Sequence, residues 1–81
     1  MKQQVIVMIL DLYNGGHPKV ISTIDYNGLD LEDVLCNELI KFFDDQVITK
    51  ETITTCCISK KRSENSFTFV GEEESYTIVL I

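Results

Sequence analysis

One histidine, three cysteines and several runs of neighbouring carboxylates are the residues of this chain whose chemistry could define an activity. His17 lies in the run Asn14-Gly15-Gly16-His17-Pro18. As a general base it would need a nucleophile and an orienting acid brought to it by folding, and no local signature supplies them. Cys36, Cys56 and Cys57 could join it as four zinc ligands. The chain has no Cys-x-x-Cys pair, however, and on a strand the adjacent Cys56 and Cys57 would point to opposite faces. The thiols are therefore read as small buried hydrophobes, with no metal and no cofactor. Gly15-Gly16 is followed by no Lys-Ser or Lys-Thr and opens no helix, so it is not a phosphate loop. No catalytic residue is assigned, and an enzyme is not expected.

The carboxylates offer recognition instead. Glu72-Glu73-Glu74 is the densest charge run and falls at an expected hairpin tip. Asp44-Asp45 follows the expected helix at the pole where negative charge stabilises nothing. With Asp30, Glu32 and Asp33 these residues could form a negative surface. The formal net charge is −6 and the pI about 4.5. Such a surface repels phosphate backbones, which argues against direct nucleic-acid binding, and attracts basic surfaces, including those of nucleic-acid-binding proteins. Glu72, Glu73, Glu74, Asp44 and Asp45 are the candidate contacts to a basic partner protein. Lys60-Lys61-Arg62 is a local basic exception, assigned to a polar hairpin loop. In size and charge the chain resembles the short acidic domains that viruses and bacteriophages use as inhibitors, some of them mimics of nucleic acid. Two other readings stand beside this one: a self-associating structural module that forms a homodimer through a sheet edge or face, and a small-ligand sponge.

These side chains need elements to hold them. Residues 27–43 carry the one clear helix signal. Asn27-Gly28 makes a turn, and Asp30 is the expected N-cap, with a Leu29–Val34 staple. Leu31, Leu35, Leu39 and Phe42 fall in one arc, with Cys36 and Phe43 at its margin. Asp33, Asn37 and Lys41 take the opposite side, flanked by Val34 and Ile40, which are expected to stay partly exposed.

The remainder reads as strands. Residues 5–13 are apolar on both faces, as a central strand would be. Residues 19–26 make a second strand with Val20, Ser22, Ile24 and Tyr26 on one face, and a short turn makes the pair an antiparallel hairpin. Residues 51–59, rich in Thr, Ile and Cys, read as a third strand. Residues 66–70 make a fourth, with Phe67 and Phe69 facing together, and the uncharged residues 76–81 a fifth, exposed to pairing if they lie at an edge.

The whole is one α+β domain over residues 1–81, in the order ββαβββ: a mainly antiparallel sheet with one helix packed on one face. One helix cannot cover both apolar sides of residues 5–13, so the opposite face invites a second copy or a partner. No secretory signal opens the chain and no apolar run reaches membrane-spanning length, so the expected place is cytoplasmic, with reduced thiols.

Overall fold

The computed structural model describes residues 3–11, 17–43 and 50–81. Its sheet has five strands: β1 (Gln4–Asp11), β2 (Pro18–Asp25), β3 (Ser59–Arg62), β4 (Ser66–Val70) and β5 (Glu74–Leu80). They lie side by side as β2-β1-β5-β4-β3, every neighbouring pair antiparallel. Two helices, α1 (Leu31–Phe42) and α2 (Lys50–Cys56), stand between β2 and β3 in the chain. Because β2 and β3 are opposite edges, the chain must cross the whole sheet between them, and the helices that make the crossing cover one face. The α+β class, the antiparallel sheet and the main helix on one face are as the sequence implies.

The alternation of β1 decides which face is covered. Val5 and Val7 are fully buried with Leu31, Val34, Leu35 and Leu39 of α1 and with Phe67, Phe69 and Ile78. Ile6, Met8 and Leu10 point the other way and are half-buried. The register of β2 on β1 slips between Val7 and Met8, where Ser22 pairs Val7 but Val20 pairs Met8. One extra residue, Ile21, is thus inserted, and such a bulge reverses the alternation of a strand. Val20 therefore sits on the opposite face from Ser22 and Ile24, which corrects the single face expected for the three.

The last third of the chain departs most from the sequence reading. Residues 51–56 are helical in α2 and not a strand. Thr and Ile favour strands only when a sheet offers them a place, and here Ile53 instead packs on the core beneath the sheet's rim. Lys60, Lys61 and Arg62 are strand β3 and not a loop. Their alternation is hidden because the residues that cover the buried rings are basic: the Arg62 guanidinium lies over the Phe67 ring and the Lys60 ammonium over Phe69, at 4.9 and 5.8 Å from the centroids. Residues 76–81 do not form an edge, since β5 is held between β1 and β4.

The ends of α1 also differ in detail. The Asp30 side chain makes no capping hydrogen bond to the helix. It accepts instead from Arg62 Nη1 at 2.8 Å, and Leu29 is 51% exposed, too far out for a staple. The N-terminal turn is held by Asn27, whose Oδ1 accepts from the Leu29 N–H at 3.1 Å, and by Tyr26, whose hydroxyl donates to the Leu29 carbonyl at 3.0 Å. Gly28 takes a φ of +84° in this turn, a conformation that side chains disfavour. Val34 is buried, whereas Phe42, in the middle of the apolar arc, is 45% exposed. Angle around the helix places Phe42 correctly, but it belongs to the last turn of α1, away from the buried cluster.

Candidate functional site

The Glu72–Glu74 run is built by a tight turn between β4 and β5. Val70 pairs Ser75, and the Gly71 N–H donates to the Glu74 carbonyl at 2.9 Å, which leaves Glu72 and Glu73 as a two-residue tip. Gly71 is needed for room: a Cβ there would stand 2.8 Å from the Glu74 carbonyl oxygen. Glu72 and Glu73 are exposed, and Glu74 is half-buried, accepting from the Tyr76 hydroxyl at 3.0 Å.

These carboxylates border a cleft of about 590 Å³ between the end of α1, α2 and the β4–β5 turn. Leu39 and Phe43 supply its α1 side, Ile53 and Cys57 its α2 side, and Phe69 and Tyr76 its sheet side. Phe43 meets Tyr76 edge-on with centroids 6.2 Å apart, so this wall is aromatic. Cys57 is a free thiol whose Sγ donates to the Thr54 carbonyl at 3.1 Å. The arrangement is an apolar pocket with carboxylates along one side. It suits a group that is apolar along its length and cationic at its end.

A second, shallower cleft of about 360 Å³ lies on the other side of Glu74, between Phe42, Phe43, Ile9 and the polar residues Asp11, His17 and Lys19. His17 is exposed there. Cys36 is buried in α1, away from Cys57, and among the described residues no group of three or more His, Cys, Asp or Glu could hold a metal ion.

The other carboxylates go elsewhere. Asp30 and Glu32 receive Arg62, through Nη1 at 2.8 Å and Nη2 at 3.3 Å, and Lys60 stands 3.7 Å from Glu32. Asp30, ahead of the Glu32 charge, raises the already high pKa of Arg62. Part of the acidic surface read from the sequence is thus committed to closing α1 onto the edge strand. Asp44 and Asp45 lie outside the described residues. Among the described residues, the candidate contacts Glu72, Glu73 and Glu74 all border this one cleft.

A buried carboxylate escaped the sequence reading altogether. Glu38 is 8% exposed, held by Ser22 Oγ donating at 2.6 Å and by Lys41 Nζ at 3.0 Å. Burial pushes its pKa up, but the hydrogen bonds from Ser22 and Lys41 and the charge of Lys41 outweigh burial and leave it below its ordinary value. The available signal was angular, because Glu38 falls between Val34 and Leu31 on the helical wheel, beside the apolar arc and away from the polar stripe. No protein-family model, curated protein or solved structure matches this chain. No helix among the described residues is long and apolar enough to cross a membrane.

Proposed function

We propose that this chain is a small acidic protein-binding module that captures a cationic side chain of a basic partner in the cleft between α1, α2 and the β4–β5 turn. The observation that supports this reading is the placement of Glu72, Glu73 and Glu74 beside an apolar floor of Leu39, Phe43, Ile53, Phe69 and Tyr76. Charge brings the partner in and apolar burial holds it. An arginine or lysine satisfies both halves, since its stem is hydrocarbon and its head is charged. A partner whose basic residues serve to bind nucleic acid would present such side chains in number, and occupation of the cleft would then inhibit or modulate that partner.

Affinity capture from cell lysate at rising salt, with identification by mass spectrometry, tests the proposal. A basic protein retained at low salt, released as salt screens the glutamates, and lost on the double change E72K/E73K is the expected result. Both residues are exposed at a turn, so the variant keeps its fold, which circular dichroism verifies. Retention of no basic protein at low salt, or retention unchanged by the charge reversal, overturns it.

A further inference from the structure

We infer that the sheet face opposite the helices is a docking surface for a second copy of this chain, giving a two-fold symmetric dimer. Four cross-strand rows reach this face: the outermost, beyond Ile6 and Thr23, is the Gln4–Asp25 pair, and the other three carry its apolar surface. Strand by strand from β3 to β2 the middle row is Lys61, Thr68, Thr77, Met8 and Val20. Toward one end of the strands lie Ser66, Val79, Ile6 and Thr23, and toward the other Ser59, Val70, Ser75, Leu10 and Pro18. No described element crosses the face. Ile6, Met8, Leu10, Val70 and Val79 are only half-buried on it, and Val20 is 54% exposed.

Charge selects the occupant. The chain carries a net −6, so two copies repel when their acidic sides approach. The three rows contain no carboxylate, and Lys61 is their one charged side chain. They thus offer an identical chain an approach that sets no glutamate or aspartate of these rows against another. Symmetry removes the last conflict. A two-fold axis running along the strands over β5, the central strand, lays each β2 on the β3 of the other copy. The two Lys61 side chains then sit at opposite borders, roughly 20 Å apart by strand spacing, beyond the screening length of physiological salt. Each instead meets Val20 of the other copy.

Size and edges agree. Five strands about 4.8 Å apart and rows spanning roughly 20 Å make a face near 500 Å² in each copy, about 1,000 Å² together, where specific interfaces begin. Pairing by edges is discouraged: β2 is bulged and begins at Pro18, and β3 is four residues long with three of them basic.

The test is sedimentation equilibrium of the intact chain from micromolar to near-millimolar concentration, with V20K and V20E beside the wild type. Both variants remove the same apolar surface, and Val20 is exposed, so both fold. Only the lysine faces Lys61 of the other copy. The expected wild-type mass rises from 9.3 kDa toward twice that value, and V20K dimerises at least about ten-fold more weakly than V20E. A wild type that stays at 9.3 kDa throughout overturns the dimer, and equal weakening by the two substitutions overturns the two-fold arrangement that sets Val20 on Lys61.

Discussion

Glu38 carries a charge on the buried face of α1, which is otherwise apolar, and its two donors come from different places: Ser22 on β2 and Lys41 one turn along α1. A carboxylate whose pKa is lowered by folding stabilises the fold fully above its unfolded pKa and loses that contribution as pH falls through the folded one. Folding lowers the Glu38 pKa, so its contribution is complete at neutral pH and disappears in acid. E38Q keeps the size and can keep one hydrogen bond but loses the charge. It is expected to cost about 1–2 kcal/mol at pH 7, the scale of a hydrogen bond to a charged group. Urea unfolding across pH should show the gap between wild type and E38Q closing below the ordinary carboxylate range; a gap that stays constant with pH would mean that packing and not charge holds Glu38. Gly71 is the other residue with a defined task. G71A forces its Cβ against the Glu74 carbonyl, so the turn must shift and carry Glu72–Glu74 with it. Nuclear magnetic resonance shifts confined to the β4–β5 turn and the cleft, with the far side of the sheet unmoved, are the expected signature.

At the scale of elements, α1 and β4 were legible because their periodicities are strong and their environments simple. Residues 66–70 alternate cleanly, with Phe67 and Phe69 both buried. The arc of α1 was legible too, though shifted, since Val34 and Glu38 are buried and Phe42 is not. Leu35 lies at its centre, fully buried, and L35A is expected to cost about 3 kcal/mol by calorimetry or urea unfolding, a large share of the stability of so small a domain. The element around Cys56 and the strand at Lys60 were not legible, for opposite reasons. In α2 the β-branched residues prefer a strand, and contact of Ile53 with the core overrides that preference. In β3 charged residues hide an apolar job. That job can be separated from the ion pairs. Arg62, Asp30 and Glu32 meet where Arg62 and Asp30 are both about half exposed, and such pairs contribute little, whereas the end of the Arg62 side chain lies over the Phe67 ring and covers it. R62M, which keeps a long apolar chain, should therefore retain more stability than R62S, which uncovers the ring. Equal losses would return the credit to the ion pairs.

The molecule as a whole has two sides with different chemistry, and the division follows from topology. The crossing from β2 to β3 buries one face under α1 and α2, and the cleft at Glu72–Glu74 opens on that side; the rows through Met8 and Thr77, whose one charge is Lys61, occupy the other. The carboxylate run was legible in the sequence, but its apolar floor was not. That floor combines side chains from α1, α2, β4 and β5, which only the tertiary fold brings together. A charged cleft and a neutral face must respond to ions in opposite directions. Sodium chloride screens carboxylates and weakens capture of a cation, while sulfate, excluded from protein surfaces, strengthens apolar burial. A peptide of alternating arginine and leucine is a direct probe of the cleft. Its affinity by isothermal titration is expected to fall several-fold between low and physiological sodium chloride, while the dimer persists and tightens in sulfate. Because the sheet separates the two surfaces, the V20K chain should bind the peptide with the affinity of the wild type, one peptide to each chain. A V20K chain with altered peptide affinity would show that the two faces communicate through β1 and β5, and that the two surfaces are one coupled system.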